Sequence, residues 1–308
     1  MYNPSDVFRF LANAQQNNKR VVLVTIVAVT GASTRNPGAH LVVDEAGNFA
    51  GSLSGGCIEA AVVAEALEVL ESGAPRHVRY GQGSPYIDIK LPCGGGIDLF
   101  FNEICDASLG AEILARFDAR QSLSLRVGKK SGAIDLLPGT SRFGLFDDDQ
   151  YLMISHIPPL RLVIFGQGAT VVHLRKLALI CDADVIVLSP DMGMAAQIPK
   201  VYLLTSPNAA LPMEFDEWTA AIMLFHDHDW DHVLLAQILQ GPSFYFGAMG
   251  SYKTHDIRCN MLRESGVSED LIAKVIAPIG LIPSMRDPET LAVSILAQVV
   301  ARYNQLFL

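Results

Sequence analysis

Two cysteines in the first third of the chain each lie next to glycines. Cys57 follows Gly55 and Gly56, and Cys93 precedes three consecutive glycines. Because glycine carries no side-chain bulk, backbone N–H groups beside such a thiol can approach a small ligand closely. A buried structural cysteine in a tight turn is the alternative, since free cysteine is commonly buried and inert.

The residues after Cys57 have the spacing of a helix. Apolar residues recur at helical intervals from Ala60 to Leu70, and Gly73 ends the pattern. A thiol that opens a helix lies in positive potential, which favours the thiolate, and the amides of a helix N-terminus favour an anion. The sequence therefore predicts that Cys57 reacts with or ligates something small beside an anion-binding loop.

A second glycine pair, Gly166 and Gly168, follows an apolar strand and precedes a helix. This order is typical of a dinucleotide-binding fold, in which the glycines allow a tight turn and a close approach of the backbone to pyrophosphate. Two positions depart from the pattern: Val171 takes the place of the third glycine, and Ser189 stands where an acidic residue would bind ribose. A Rossmann-like fold is predicted, and NAD(P) binding in its crevice stays an alternative.

The segment His226–His232 contains alternating histidine and aspartate. It resembles the metal-binding run of metallo-β-lactamase-type hydrolases, with one residue too many before its final Asp-His pair. His226 and His228 are the candidate metal ligands, and Asp231 and His232 would complete a metallohydrolase site. The alternative is a polar loop in which Asp229 or Asp231 caps the next helix.

A third glycine turn precedes a helix at Ser251. Gly250 comes directly before this serine, and Lys253 follows two residues later. Backbone amides, the serine hydroxyl and the lysine could together hold a phosphate. The alternative is that Ser251 caps the helix and binds nothing else.

The composition restricts the class of protein. The chain has 308 residues, half of them hydrophobic, and a formal net charge of −9 at pH 7, which argues against nucleic acid and anionic membranes as partners. The longest apolar run, Val21–Val29, is shorter than the roughly 18 residues that span a bilayer. The first residues lack a signal-peptide pattern, and five scattered cysteines without a Cys-x-x-Cys pair indicate reduced thiols. We therefore expect a cytoplasmic protein.

Two domains are expected from this length and from the order of the predicted elements. Residues 1–158 contain short strands, including one over Ile87–Leu91, with helices between them. Residues 159–308 alternate strand and helix, which predicts a parallel sheet with helices on both faces. The boundary lies at Pro158 and Pro159, because consecutive prolines form a stiff, non-helical break. The predicted fold is α/β: a small N-terminal α/β domain and a C-terminal Rossmann-like domain with a mostly parallel sheet.

In chain order these motifs resemble the XdhC/CoxI family of accessory proteins for molybdenum hydroxylases such as xanthine dehydrogenase. The most specific part is Ser54–Glu59, which reads Ser-Gly-Gly-Cys-Ile-Glu. The remaining segments that carry the resemblance are Gly31–Ala39, Pro92–Gly95, Phe165–Gly168, His226–His228, Gly247–Ser251 and Pro278–Leu281.

The resemblance implies a function in cofactor handling. Such a protein binds molybdenum cofactor, protects it, assists its sulfuration and delivers it to an apo molybdenum hydroxylase of the xanthine dehydrogenase type. It is a cofactor-insertion chaperone more than a turnover enzyme, and a cysteine desulfurase and a second copy of the chain in a homodimer are the further expected partners. An NAD(P)-dependent oxidoreductase and a metallohydrolase remain the alternatives.

The resemblance also implies a set of site residues. Cys57 is the expected cofactor-binding thiol and Cys93 lines the same site, since a thiolate suits molybdenum, a thiophilic metal. Arg35 and the amides of Gly55 and Gly56 would meet the phosphate of the pterin. The complete set of implied cofactor-binding residues is Cys57, Cys93, Arg35, Gly55, Gly56, Glu59, Gly166, Gly168 and Ser251.

Overall fold

The computed structural model describes residues 4–33, 35–84, 94–225 and 228–308, without the side chains of Gln197, His228 and Asp229. The strand predicted over Ile87–Leu91 therefore lies outside the described residues. The chain divides between Pro158 and Pro159 into two compact units, which we call the N-terminal unit and the C-terminal unit.

The N-terminal unit contains three helices and nine strands among its described residues. The helices are α1 (Ser5–Gln16), α2 (Glu59–Ser72) and α3 (Leu109–Asp118). The strands are β1 (Val21–Thr30), β2 (His40–Asp44), β3 (Phe49–Gly51), β4 (Arg76–Gly81), β5 (Gly96–Glu103), β6 (Leu123–Gly128), β7 (Ile134–Pro138), β8 (Gly144–Asp147) and β9 (Tyr151–His156). They form a five-stranded sheet, β3-β2-β1-β5-β4, and a four-stranded sheet, β7-β6-β9-β8, with antiparallel pairings.

Strand β1 has an apolar side chain for a core on each face of the five-stranded sheet. Val22, Val24 and Ile26 share one core with α2. Val21 and Leu23 share the other with α1, α3 and the four-stranded sheet. Because successive side chains of a strand point to opposite faces, a strand covered on both faces needs the unbroken apolar run that the sequence shows here.

Three loops that carry sequence motifs follow strands of the five-stranded sheet that run in the same direction. Thr30 ends β1 opposite Gly96, and Gly81 ends β4 opposite the same glycine. Strand β3 is antiparallel to β2, which is antiparallel to β1, so β3 runs in the direction of β1 and β4. The loops that follow these three strands therefore leave the sheet in the same direction. We call the side of the sheet at which these strands end the motif edge.

The C-terminal unit alternates strands and helices. The strands are β10 (Arg161–Gly166), β11 (Asp184–Ser189), β12 (Val201–Leu203), β13 (Thr219–Leu224), β14 (Tyr245–Ala248) and β15 (Val275–Ile276). The helices are α4 (Ala169–Ile180), α5 (Met192–Gln197), α6 (His228–Ile238), α7 (Tyr252–Glu264), α8 (Glu269–Ile272) and α9 (Pro288–Phe307). The sheet order is β12-β11-β10-β13-β14-β15, with parallel pairings. The predicted α/β fold with a parallel C-terminal sheet is confirmed.

The order of the parallel strands creates a crevice. From β10 the chain moves outward to β11 and β12, and then returns to the other side of β10 with β13 and β14. Ligands of such sheets bind at the carboxyl ends of the strands where this reversal occurs. Every residue of β13 is buried, as expected for a central strand with helices on both faces.

Within the part of the chain that the structure describes, no helix has both the length and the apolar character needed to cross a lipid bilayer.

Candidate functional site

The loop between β3 and α2 is organised by the side chain of Glu59. Its Oε1 atom accepts hydrogen bonds from the backbone N–H groups of Leu53 at 3.2 Å and Ser54 at 3.1 Å. Its Oε2 atom accepts from the N–H groups of Gly56 at 3.0 Å and Ile58 at 3.1 Å. One carboxylate thus binds four backbone amides of a six-residue segment, Leu53–Ile58, which we call the thiol loop.

Ser54 connects this carboxylate to Cys57. The Ser54 hydroxyl donates to Glu59 Oε2 at 2.8 Å. Its Oγ atom accepts from the N–H groups of Cys57 at 3.1 Å and Ile58 at 3.2 Å. The backbone of the cysteine is therefore held to the carboxylate through a single hydroxyl group.

The Glu59 carboxylate is ionised at physiological pH. Burial alone would raise the pKa of this side chain, but hydrogen bonds from Ser54, Gly56 and Leu53 outweigh burial and lower the pKa to about 2. A negative charge in the first turn of α2 is also favoured by the helix dipole.

Cys57 lies before the helix and not at its start. Helix α2 begins at Glu59, with Ile58 as its N-cap residue, so the prediction that Cys57 opens the helix is wrong by two residues. The reason is that Gly55 and Gly56 have φ values of 78° and 108°, which turn the chain in a region that favours glycine. The thiol is free and exposed, so the alternative of a buried structural cysteine does not hold.

The glycines of the thiol loop leave room around the cysteine. A Cβ atom built on Gly55 or Gly56 would meet no atom of the described chain within 4 Å, and the same holds for Gly94, which follows Cys93. These positions can admit a ligand, although the Gly56 N–H group points to Glu59. The predicted contact between the Gly56 amide and a phosphate would therefore compete with that hydrogen bond.

The loop after β1 carries Arg35 and reaches the loop that contains Cys93. Cys93 itself lies outside the described residues, but a Cβ atom on Gly31 would lie 3.3 Å from Cα of Gly95. Ser33 shapes the backbone at Arg35, because its hydroxyl donates to the Arg35 carbonyl at 2.9 Å and accepts from the Arg35 N–H at 3.2 Å. Arg35 thus lies on a motif-edge loop, as Cys57 does.

Arg79 joins two of the strand ends at the motif edge. Its Nη2 atom donates to Thr30 Oγ1 at 3.0 Å, and its Nε atom donates to the Gln82 carbonyl at 2.7 Å. The guanidinium also forms an ion pair with Asp98 of β5. Sequence reasoning missed this residue, because nothing near Arg79 in the sequence indicates its contact with Thr30 of β1.

The Rossmann-like crevice has the predicted glycine turn. Gly166 has a φ of 146°, and a Cβ atom there would lie 2.8 Å from the Leu224 carbonyl oxygen. Gly168, with a φ of 86°, is the N-cap residue of α4. The third position, Val171, is buried in the helix. Close packing of β10 against β13 therefore requires the first glycine.

Asp191 lies two residues beyond the end of β11 and lines this crevice. Ser189 is buried at the end of β11, and Asp191 caps α5 by accepting from the N–H groups of Gly193 at 2.8 Å and Met194 at 3.1 Å. Asp191 lines a cleft of about 420 Å³ together with Gln167–Thr170.

Ser251 has the capping role that was one of its two predicted roles. Its Oγ atom accepts from the Thr254 N–H at 3.2 Å at the start of α7. Ser251 also lines a larger cleft of about 770 Å³, which extends along the segment Pro278–Pro288. A helix cap and a cleft wall therefore coincide at this serine.

The histidine–aspartate segment is only partly described. His226 lies outside the described residues, and so does the side chain of His228, so the predicted metal ligands stay a prediction. Asp231 is buried and accepts from Arg258 Nη2 at 2.7 Å and Nε at 3.2 Å. Because α6 begins at His228, Asp231 lies within the helix and does not cap it.

This ion pair weakens the metallohydrolase alternative. Arg258 also donates from Nη2 to the Met249 carbonyl at 2.7 Å, so it connects Asp231 to the turn before α7. Among the described residues, no group of three or more His, Cys, Asp or Glu side chains is placed to hold a metal ion.

Two family models match the chain. The XdhC and CoxI family model covers residues 14–81, which include Arg35, Cys57 and Glu59, and the XdhC Rossmann domain model covers residues 162–299. The molybdenum cofactor insertion chaperone PaoD of Escherichia coli (strain K12) is 35% identical over 295 residues, which span 96% of this chain and 87% of that protein. The chain belongs to the XdhC and CoxI family.

Two further matches cover nearly the whole chain at lower identity. A probable xanthine dehydrogenase subunit from Bacillus subtilis (strain 168) is 22% identical, over 92% of this chain and 94% of that protein. The crystal structure of a xanthine dehydrogenase from Bacillus halodurans superimposes with a TM-score of 0.76 at 22% identity and covers 98% of this chain and 96% of that chain. At this identity the superposition supports the fold, and the predicted family resemblance is confirmed by the sequence matches.

Proposed function

We propose that this protein is a molybdenum cofactor chaperone, which binds the cofactor at the motif edge through Cys57 and passes it to an apo molybdenum hydroxylase of the xanthine dehydrogenase type. The observation that carries the proposal is the exposed Cys57 thiol on a loop ordered by Glu59. The name of the Escherichia coli relative PaoD, a molybdenum cofactor insertion chaperone, supports the same function.

The residues at the motif edge have the chemistry that molybdenum cofactor requires. An exposed thiol is a ligand for a thiophilic metal once it is deprotonated. Arg35, on the loop after β1, supplies a cation for a phosphate group, and the open space beside Gly55 admits a ligand. Cys57 and Arg35 would hold the cargo, and Glu59 and Ser54 would keep the thiol loop in place.

Transfer to a partner is consistent with an exposed site. A thiol at the surface leaves one side of a bound cofactor open to a second protein. We include help in sulfuration of the cofactor, a cysteine desulfurase partner and a homodimer in the proposal. Cys57, Cys105, Cys181 and Cys259 are free thiols, which fits a reducing cytoplasm.

A nucleotide in the Rossmann-like crevice is a second candidate. Asp191 and Gly168 line the same cleft, as an acidic ribose partner and a pyrophosphate turn would. A ligand that binds only the folded protein raises the free energy of unfolding, by about 2.7 kcal/mol at 100 times its Kd. NADH and NADPH should therefore raise the melting temperature of the wild type, and an unchanged value in saturating nucleotide would remove this candidate.

The main proposal is tested by the pterin content of the purified protein. The chain is expressed in a host that makes molybdenum cofactor, and the bound pterin is oxidised and measured by its fluorescence. We expect pterin with the wild type and little with Cys57→Ala. Cys105→Ala is the matched control, because Cys105 is also an exposed thiol of the N-terminal unit, and it should keep its pterin. Absence of pterin from the wild type, in cells that contain free cofactor, would overturn the proposal.

A further inference from the structure

We propose that Glu59 is a positioning residue, which fixes the thiol loop so that Cys57 is presented at the motif edge, and that its carboxylate does not contact the cargo. The family resemblance placed Glu59 among the cofactor-binding residues. The inference rests on the proposed function for the nature of the cargo, whereas the ordering of the loop by Glu59 is a property of the protein alone.

The hydrogen-bonding capacity of the carboxylate is already used. A carboxylate has about four lone-pair positions. Oε1 accepts from the N–H groups of Leu53 and Ser54 and lies 3.4 Å from the Ser52 hydroxyl. Oε2 accepts from the N–H groups of Gly56 and Ile58 and from the Ser54 hydroxyl. Six donors therefore share the two oxygens, which leaves no acceptor for a ligand.

The burial and the charge of Glu59 also argue against a contact between its carboxylate and the cargo. Glu59 is 7% exposed, whereas Cys57, two residues earlier, is exposed to solvent. A carboxylate would also repel the phosphate of the proposed cargo. The two residues of the Ser-Gly-Gly-Cys-Ile-Glu motif that could do chemistry thus face different surroundings: the thiol faces solvent, and the carboxylate faces the backbone.

The hydrogen bonds connect Glu59 to Cys57 in two steps. The Cys57 N–H group donates to Ser54 Oγ, and the Ser54 hydroxyl donates to Glu59 Oε2. The turn at Gly55 and Gly56 has φ values that only glycine adopts readily, so a glycine-rich segment needs a fixed partner to hold a single conformation. The Glu59 carboxylate is that partner, and it acts on the cargo through the position of Cys57.

Three substitutions at and near this site separate the roles of charge and volume. Glu59→Gln keeps the shape of the side chain but places an amide NH₂ group against N–H donors. Glu59→Asp keeps the ionised acceptor and shortens its reach. Ser54→Ala leaves the carboxylate and removes the step to Cys57. Glu71→Gln, an exposed position of the same helix α2, is the matched control.

Two measurements are made on each variant, with a check on the thiol. Hydrogen exchange, followed by mass spectrometry on the segment Leu53–Ile58, reports the order of the loop. Pterin content of protein from cofactor-producing cells reports capture of the cargo, and labelling of Cys57 by iodoacetamide reports whether the thiol chemistry is intact.

We expect Glu59→Gln to exchange these amides at least tenfold faster and to lose most of its pterin, with Cys57 labelling within about threefold of the wild type. Glu59→Asp should restore both properties in part, which a role in packing volume would not predict, because Gln is the closer match in volume. Ser54→Ala should lose pterin with faster exchange at Cys57 and Ile58, and it keeps the test decisive if Glu59→Gln does not fold.

Unchanged exchange in Glu59→Gln, or faster exchange with full retention of pterin, would overturn the inference. The same holds if Glu59→Gln retains the wild-type properties better than Glu59→Asp. The exchange measurement needs no cofactor. A wild type without pterin would therefore overturn the proposed function, while the exchange data would still decide whether Glu59 orders the loop.

Discussion

The Nε2 atoms of His40 and His156 lie 3.0 Å apart inside the N-terminal unit and join its two sheets, since His40 belongs to β2 and His156 ends β9. Both side chains are buried, and Thr25 Oγ1 lies 2.9 Å from Nδ1 of His40. A hydrogen bond between two ring nitrogens needs a lone pair on one of them, so the pair does not survive protonation of both rings.

This pair predicts that the N-terminal unit loses stability in mild acid. Burial lowers the pKa of His40 to about 3, and burial together with His40 lowers the pKa of His156 well below its usual value. The unfolded chain therefore binds more protons, and the free energy of unfolding should fall below about pH 6.5 by about 1.4 kcal/mol per pH unit for each histidine. Urea unfolding followed by circular dichroism between pH 5 and 7.5 measures this slope.

Two variants show whether the slope comes from the buried pair. His156→Asn should reduce it, and His77→Asn, at an exposed position of β4, should leave it unchanged. The range above pH 5 excludes most of the titration of carboxylates in the unfolded chain. A wild-type slope of zero between pH 5 and 6.5 would contradict the assignment of neutral, buried histidines.

Arg79→Met is predicted to weaken cofactor retention with a small effect on stability. The guanidinium joins Thr30 to the turn at Gln82, and its loss should loosen the loops that follow β1 and β4, which carry Arg35 and Cys93. The side chain is 30% exposed, so we expect a change of only about 1 kcal/mol in the free energy of unfolding. Pterin content per protein and urea unfolding are the two measurements.

Arg126→Met is the matched control for Arg79. Arg126 also lies on a strand of the N-terminal unit and also pairs with an aspartate, Asp135, but it belongs to the four-stranded sheet. It should keep its pterin. Equal pterin loss in both variants would indicate a general effect of removing a strand arginine and not a role at the motif edge.

Removal of one partner of the Asp231–Arg258 pair should destabilise the C-terminal unit strongly. Both side chains are almost fully buried, and removal of one partner from a buried ion pair costs about 3–5 kcal/mol. Asp231→Asn and Arg258→Met should each lower the free energy of unfolding by this order, and the double variant should lose less than the sum. Fluorescence follows this unit selectively, because both tryptophans, Trp218 and Trp230, lie in it.

An additive double variant would show that the two side chains do not interact. If instead Asp231 served as a metal ligand, Asp231→Asn would reduce the content of bound zinc at nearly unchanged stability. That result would restore the metallohydrolase alternative.

Substitution of the two crevice glycines should have unequal effects. Alanine is strained at both φ values, by about 1–3 kcal/mol. Gly166→Ala adds a clash with the Leu224 carbonyl oxygen at 2.8 Å, whereas a Cβ atom on Gly168 meets no described atom within 4 Å. Gly166→Ala should therefore lower the free energy of unfolding more than Gly168→Ala does, and the reverse order would contradict the close approach of β10 and β13.

Features that depend on residues close together in the chain could be predicted from the sequence, and features that depend on distant residues could not. The parallel sheet could be predicted, because strands such as β13 are buried on both faces and their apolar runs are visible locally. The true start of α2 could not be predicted, because it depends on the side chain of Glu59. This carboxylate accepts hydrogen bonds from earlier residues of the chain, as far back as Leu53. The partner of Asp231 is 27 residues away in the chain, and no local pattern indicates it.

Individual residues of the motif edge could be predicted from the sequence, but their common location could not. Cys57 and Arg35 were recognised by residue type and by their glycine-rich neighbours. Their common edge follows from the strand order, which depends on pairings such as Thr30 with Gly96. Arg79 was missed because its function is to hold other loops, and a side chain with that task has no chemical signature of its own.

The bonds between Glu59 and the thiol loop have a thermodynamic consequence for a carrier. A mobile segment loses about 1–2 kcal/mol of backbone conformational entropy per residue when a ligand orders it. In this protein that loss occurs during folding, since five of the six amides from Leu53 to Ile58 already have a partner. Four of them bond to Glu59, and the amide of Cys57 bonds to Ser54. If the cargo binds at Cys57 as proposed, its affinity would not include the cost of ordering this loop, and its release would not require the loop to rearrange.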